Sequence, residues 1–86
     1  MNWKKFSSNG IYLDINFDDL DLCKTPKVFT TVECTTNCWK VSGSSSVYDL
    51  SNNYFRVYLR GIDFTLTPEV AEHSRFKLTY AIYSQD

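Results

Sequence analysis

The fold is decided by the stretch Tyr54-Phe55-Arg56-Val57-Tyr58-Leu59-Arg60. Successive side chains of a β-strand point to opposite faces of the sheet, so Phe55, Val57 and Leu59 fall on one face. Tyrosine and arginine residues fill the other face. This alternation predicts a strand with one side in a hydrophobic core and a polar, aromatic side at the surface.

The same period of two recurs on both sides of this stretch. It predicts strands over Gly10–Phe17, Lys27–Cys34 and Arg75–Tyr83. Two shorter strands are predicted at Trp39–Val41 and Val47–Tyr48. Serine, asparagine and glycine residues fill much of the chain between these segments, where they are typical of turns.

Helical signals are confined to one short segment. Thr67 followed by Pro68 is typical of the N-cap and the first position of a helical turn. Parallel strands need crossover helices, which this pattern lacks, so the strands should pair antiparallel. The sequence therefore predicts the all-β class, as a small antiparallel six-stranded β-sandwich with residues 1–86 forming a single domain. A domain of this size has a modest core, which favours support from a cross-link or from oligomerisation.

The charge balance disfavours two classes of partner. The chain has 9 Lys and Arg residues against 10 Asp and Glu residues, interleaved along its length. It therefore lacks the basic patch that nucleic acid or an anionic membrane surface would require. No apolar run approaches the roughly 20 residues that span a bilayer, and no signal peptide follows Met1. We expect no nucleic acid partner and no membrane insertion, and a protein that acts where it is made or is released, extracellular or virion-associated.

The cysteines leave two alternatives open. Cys34 and Cys38 flank Thr35-Thr36-Asn37, which resembles a hairpin loop, and opposed strand positions come within disulfide reach. The alternative is three reduced thiols, with Cys23 unpaired in either case. A zinc site would need His73 as a fourth ligand, and a single cysteine spacing is weak evidence for it. We therefore expect no metal and no other cofactor.

Catalytic motifs are also missing. His73 is the single histidine, and no nucleophile–histidine–carboxylate spacing can be argued around it. Asp14-Ile15-Asn16-Phe17-Asp18 resembles the start of a calcium loop, but Asp19 and Thr25 replace the glycine and glutamate that such a loop needs. The glycines are isolated, so no phosphate-binding loop is present. The sequence predicts a protein that is not an enzyme.

The remaining signal is a surface rich in aromatic and arginine residues. Such residues anchor protein interfaces, and aromatic rings also stack on sugars while Asp and Arg bind the hydroxyl groups. Position at loop ends and side-chain chemistry select the candidate ligand-binding residues Asp63, Arg60, Tyr58, Trp39 and His73. The alternative reading is that the aromatic excess is ordinary core plus a subunit seam.

The order of these segments resembles the H-type lectin family, the domain of snail agglutinins and of the C-terminus of discoidins. The resemblance is carried by Gly10-Ile11-Tyr12-Leu13-Asp14-Ile15, Thr25-Pro26-Lys27-Val28 and Asn53-Tyr54-Phe55-Arg56-Val57-Tyr58-Leu59. A related short lectin-like sandwich domain is similar also at Leu66-Thr67-Pro68. The resemblance implies a six-stranded antiparallel sandwich that forms a homotrimer and binds galactose-type glycans at cell surfaces, as in cell adhesion.

The chain departs from that family at sugar-contacting positions. Gly61-Ile62-Asp63-Phe64 stands where the family has a Trp-His pair, and Tyr80 stands where a Trp is common. Two expectations follow. The first is a non-enzymatic, trimeric, lectin-like carbohydrate-binding module. The second is a structural or assembly module, such as a trimeric fibre knob or a capsid-associated protein.

Overall fold

The computed structural model describes residues 1–84 and confirms the all-β, antiparallel class. A four-stranded sheet has the strand order β1-β2-β5-β4, and a second sheet pairs β3 with β6. The strands are β1 Lys4–Ser7, β2 Gly10–Asn16, β3 Lys27–Glu33, β4 Val41–Ser42, β5 Tyr54–Gly61 and β6 Lys77–Tyr83.

The core lies between the two sheets and is built by the alternation that the sequence predicts. The inward residues Phe55, Val57 and Leu59 of β5 are at most 1% exposed. Burying side chains of this kind stabilises the fold by roughly 1.5–3 kcal/mol each. The rest of the buried hydrophobic cluster comprises Trp3, Ile11, Leu13, Phe17, Leu66, Ala71, Phe76 and Leu78.

The predicted helical turn is present as a short helix, α1 (Pro68–His73). The side chain of Thr67 accepts a hydrogen bond from the backbone N–H of Val70, and Pro68 occupies the first turn. This is the capping arrangement that the Thr-Pro pair indicates. The helix buries Ala71 against the core just before β6 begins.

Three details of the strand prediction are wrong. The exposed strand β1 was not predicted, because none of its residues is buried and it shows no core-facing alternation. The predicted strand Trp39–Val41 is instead a 3₁₀ turn over Cys38–Lys40, followed by the two-residue β4. The predicted strand at Val47–Tyr48 is reduced to one bridge between Tyr48 and Arg56.

The segment between β3 and β4 explains the second of these corrections. A disulfide joins Cys34 to Cys38, whose Cα atoms are 6.1 Å apart. Asn37 adopts a left-handed conformation with φ of 73°, so the chain turns into the 3₁₀ segment instead of returning beside β3. The cysteines therefore close a compact loop, and the predicted hairpin of opposed strands is wrong. Cys23 is free and exposed.

Candidate functional site

The outer face of the four-stranded sheet carries a continuous set of rings and charges. In the β2–β5 pair, Tyr12 lies opposite Tyr58 and Asp14 lies opposite Arg56. Directly opposed side chains of an antiparallel pair lie close enough to interact. The outward halves of the two alternating strands therefore form one connected surface.

An arginine–aspartate pair holds the centre of this surface. The Nε of Arg56 donates to Oδ1 of Asp14 over 2.6 Å, and Nη2 donates to Oδ2 over 3.1 Å. The guanidinium carbon lies 4.2 Å from the ring centroid of Tyr12, in a cation–π contact. Nη1 donates to the hydroxyl oxygen of Tyr58 over 3.1 Å, and Tyr54 donates its hydroxyl hydrogen to Asp14. Arg56 is thus fixed from several sides.

These hydrogen bonds shift the titration of the groups that make them. The bond from Arg56 holds the pKa of Asp14 below its ordinary value of 3.8. The bond to Asp14 raises the pKa of the Tyr54 phenol above 10.0, and it also raises the pKa of Arg56. All three shifts favour the charged carboxylate beside a charged guanidinium. At neutral pH the pair is therefore a compensated, structural part of the surface.

An open cavity of about 830 Å³ adjoins this cluster, and we call it the aromatic cavity. Three of its lining rings pack together. The ring centroid of Tyr58 lies 4.9 Å from that of Phe6 and 5.0 Å from that of Tyr48, both in edge-to-face geometry. Phe6 is 63% exposed and Tyr48 is 48% exposed, so both rings remain available to a ligand. The cavity has the size of a small-molecule site.

The polar lining of the aromatic cavity is sparse and has one sign of charge. Among the described residues, Arg60 is its single charged side chain, and no Asp or Glu of that part of the chain lines it. Hydroxyl groups come from Ser7, Ser42 and Ser46. Within residues 1–84, Arg60 forms no ion pair, in contrast to Arg56. An unpaired guanidinium in a lining that also contains aromatic rings is a binding feature with a defined charge.

The amide of Asn9 fixes one wall of the aromatic cavity. Its Nδ2 donates to the carbonyl oxygen of Gly61 over 3.1 Å, and its Oδ1 accepts from the N–H of Leu66 over 2.7 Å. The side chain thus ties the β1–β2 turn to the end of β5. Because its carbonyl oxygen is already used by the protein, Asn9 supports the wall more than it offers an acceptor to a ligand.

Gly43 fixes the opposite wall. Its φ is 108°, a conformation that side-chain-bearing residues rarely adopt, and a Cβ at this position would overlap the carbonyl oxygen of Tyr58. The loop after β4 therefore lies directly on β5. This close approach brings Ser46 and Tyr48 to the cavity.

The structure brings together two of the candidate residues selected from the sequence. Tyr58 and Arg60 both line the aromatic cavity. Trp39, Asp63 and His73 do not. The structure therefore brings two of the five candidates to this cavity and places the other three outside its lining.

The other three candidates lie elsewhere because loop-end position alone does not make side chains converge. Trp39 is 83% exposed in the 3₁₀ turn, with the Nζ of Lys40 5.7 Å from its ring centroid. Asp63 is exposed in the turn after β5 with φ of 50°. His73 is exposed in the last turn of α1.

Sequence reasoning missed Phe6, Tyr48 and Asn9. Phe6 lies on the unpredicted strand β1, and the one-residue irregularity between Lys5 and Ser7 gave no periodic signal. Tyr48 reaches the cavity through a single bridge to β5. Asn-Gly at Asn9-Gly10 is a common turn signal that could have placed the tight turn between β1 and β2.

A second cavity, of about 730 Å³, lies beside the N-terminus and the end of α1. Its lining includes Glu72, Arg75 and Lys77, so its charges have both signs. Over residues 1–84, no three His, Cys, Asp or Glu side chains converge as metal ligands. In the same part of the chain, no helix has the length and apolar character to cross a membrane.

Comparisons of the chain with protein-family models, with curated proteins and with solved structures find no match.

Proposed function

We propose that this protein is a non-enzymatic, lectin-like carbohydrate-binding module and that the aromatic cavity is its sugar site. The observation that carries the proposal is the packing of Phe6, Tyr48 and Tyr58 around one open cavity that also contains Arg60. The proposed sugar site is formed by residues of one chain and needs no second copy. The H-type lectin resemblance supports the same class of function and favours galactose-type glycans of cell surfaces.

The chemistry of the lining fits a pyranose ring. One face of such a sugar carries C–H groups, which pack on an aromatic ring, while its edge carries hydroxyl groups that need hydrogen-bond partners. Exposed rings of Phe6 and Tyr48 supply the apolar contact. The serine hydroxyls and Arg60 supply polar partners at the rim.

A glycan array with the purified protein tests this function. We expect binding to galactose-type glycans, and Tyr48→Ala should weaken it by at least about tenfold, because the lost ring forms one wall of the cavity. Trp39→Ala is the matched control, since it removes a highly exposed ring that does not line the cavity. Binding to no glycan would overturn the proposal, and equal losses in the two variants would move the site away from the cavity.

The second candidate function is assembly, favoured by the outer face of the β3–β6 sheet. Phe29 is 62% exposed and Tyr83 is 59% exposed, and their rings form an edge-to-face pair with centroids 5.6 Å apart. In residues 1–84, no further strand pairs with β3 or β6. Unpaired strand edges beside exposed rings are typical of a surface that another chain covers.

We propose that two further copies of this chain cover the outer faces of the β3–β6 sheets, in the homotrimer that the family resemblance implies. Native mass in solution, measured with and without reductant, tests this assembly. A trimer that Phe29→Ser dissociates would support it, because the substitution removes an exposed ring and no core contact. A stable monomer would overturn the trimer and the assembly function, while leaving the sugar site of a single chain to be tested by the array.

A further inference from the structure

The charges around the aromatic cavity narrow the class of sugar that fits it. Arg60 lies in the lining without an ion pair in residues 1–84, and no carboxylate of that range lines the cavity. In the sequence, Asp49 follows the lining residue Tyr48 and Asp63 lies shortly after the lining residue Gly61, but neither belongs to the lining. Among the described lining residues, the positive charge of Arg60 has no acidic counterpart.

Arg56, on the same strand, is an arginine whose positive charge is compensated. Its guanidinium is bound by both carboxylate oxygens of Asp14 and covered by the ring of Tyr12. Arg60 lies two alternations further on, at the same face of β5, and pairs with no carboxylate in the part of the chain that the structure describes. A free guanidinium binds an oxyanion by short, charge-assisted hydrogen bonds.

The small number of hydrogen-bond acceptors in the cavity also favours an anionic ligand. A neutral sugar carries many hydroxyl donors, and a site that binds it needs acceptors such as carboxylate or amide oxygens. As far as the structure describes the chain, the lining contains no carboxylate, and the Oδ1 of Asn9 already accepts from the N–H of Leu66. Serine and tyrosine hydroxyls are the remaining side-chain acceptors, and the Oγ of Ser7 already accepts from the N–H of Asn9. Replacing the hydroxymethyl group of a sugar by a carboxylate removes one donor that this lining would have to satisfy and adds an acceptor for Arg60.

We infer that the cavity binds an acidic sugar, one that carries a carboxylate or a sulfate group. Arg60 binds the anionic group, and the rings of Phe6, Tyr48 and Tyr58 contact the C–H face of the pyranose. The inference rests on the proposed carbohydrate-binding function and adds the charge of its ligand.

A matched pair of ligands tests the inference by titration calorimetry. Methyl galactopyranoside and methyl galactopyranosiduronate differ only at C6, which is the carbon of a hydroxymethyl group in the first and of a carboxylate in the second. We expect the uronate to bind at least about tenfold more tightly, with an affinity that falls as salt is added. Galactose 6-sulfate is the third ligand, and the tighter of the two anions identifies whether carboxylate or sulfate is preferred.

Two variants test whether Arg60 causes the preference for the uronate. Arg60→Gln should abolish the difference between the uronate and the neutral sugar, while Arg75→Gln should preserve it. Both change the net charge equally, but Arg75 lies outside the aromatic cavity.

Three results would contradict the inference in distinguishable ways. Equal binding of the neutral and acidic sugars would overturn it and leave the carbohydrate-binding function standing. A uronate preference that survives in Arg60→Gln would overturn the role of Arg60. Binding of none of the three sugars, together with a negative array, would overturn the proposed function itself.

Discussion

Arg56 and Asp14 form a bidentate pair across the β2–β5 ladder, with N–O distances of 2.6 and 3.1 Å. The same guanidinium donates to the hydroxyl oxygen of Tyr58 over 3.1 Å. Since the ring of Tyr58 packs against both Phe6 and Tyr48, the ion pair orients the central ring of the aromatic cavity. The side chain of Tyr58 thus links the Arg56–Asp14 ion pair to the proposed sugar site.

The Arg56–Asp14 ion pair predicts that the folded state loses stability as the pH falls. Arg56 holds the pKa of Asp14 below 3.8, so the carboxylate is charged and stabilising above the pKa of the unfolded chain. That contribution should be lost as pH falls through the lower pKa of the folded state. Thermal unfolding followed by circular dichroism from pH 7 to pH 2 measures it. Asp14→Asn should be less stable than the wild type at pH 7, and the two should converge in acid. A difference that stays constant with pH would contradict the prediction.

The alternating core predicts a sharp contrast between two phenylalanines. Phe55 is fully buried, so Phe55→Ala should lower the free energy of unfolding by about 3–5 kcal/mol. Phe29→Ala, at a ring that is 62% exposed in the single chain, should change the free energy of unfolding of the monomer by less than about 0.5 kcal/mol, measured at a concentration where no trimer forms. Urea denaturation followed by tryptophan fluorescence compares them. Equal losses would mean that the β3–β6 sheet buries its outer face within the monomer.

The loop over β5 predicts a strict requirement for glycine. Gly43→Ala places a Cβ against the carbonyl oxygen of Tyr58 at a φ of 108°. We expect a loss of more than about 1 kcal/mol in the free energy of unfolding, together with weaker sugar binding, because the wall of the cavity must move. Ser45→Ala, in the same loop at an exposed position, is the control. A fully stable Gly43→Ala variant would contradict the close approach of this loop.

The disulfide predicts a measurable thiol count. In air-oxidised, denatured protein, one thiol, that of Cys23, should react with a thiol reagent, and three should react after reduction. Detection of three thiols before reduction would rule out the Cys34–Cys38 bridge. The bridge closes a short loop with a sequence separation of 4, so a Cys34→Ser, Cys38→Ser variant should lose about 2 kcal/mol and still fold.

The parts of the fold that sequence predicts are those in which burial alternates. Strands β2, β5 and β6 each put one face in the core, so their apolar residues recur every second position. Thr67 and Pro68 likewise mark the start of α1 through their own chemistry. Strand β1 has no buried residue, and its formation depends on pairing with β2, which no local pattern records.

The candidate site also contains residues that the sequence predicts and residues that it does not. Tyr58 and Arg60 are predictable because the alternation of β5 points them away from the core. Their neighbours Phe6 and Tyr48 come from the exposed strand β1 and from the loop after β4, whose positions depend on Asn9 and Gly43. Trp39 and His73 are chemically suitable for a sugar site, but their local backbone holds them at other places.

Amide chemical shifts during a sugar titration test the central claim most directly, since they locate the site without any substitution. Two-dimensional ¹⁵N–¹H spectra would be recorded with methyl galactopyranosiduronate and with methyl galactopyranoside, each raised to millimolar concentration. We expect the largest shifts in the lining of the aromatic cavity, around Phe6, Tyr48 and Arg60. Shifts centred instead on Trp39 and Asp63, or none with either sugar, would contradict a carbohydrate site on the outer face of the four-stranded sheet.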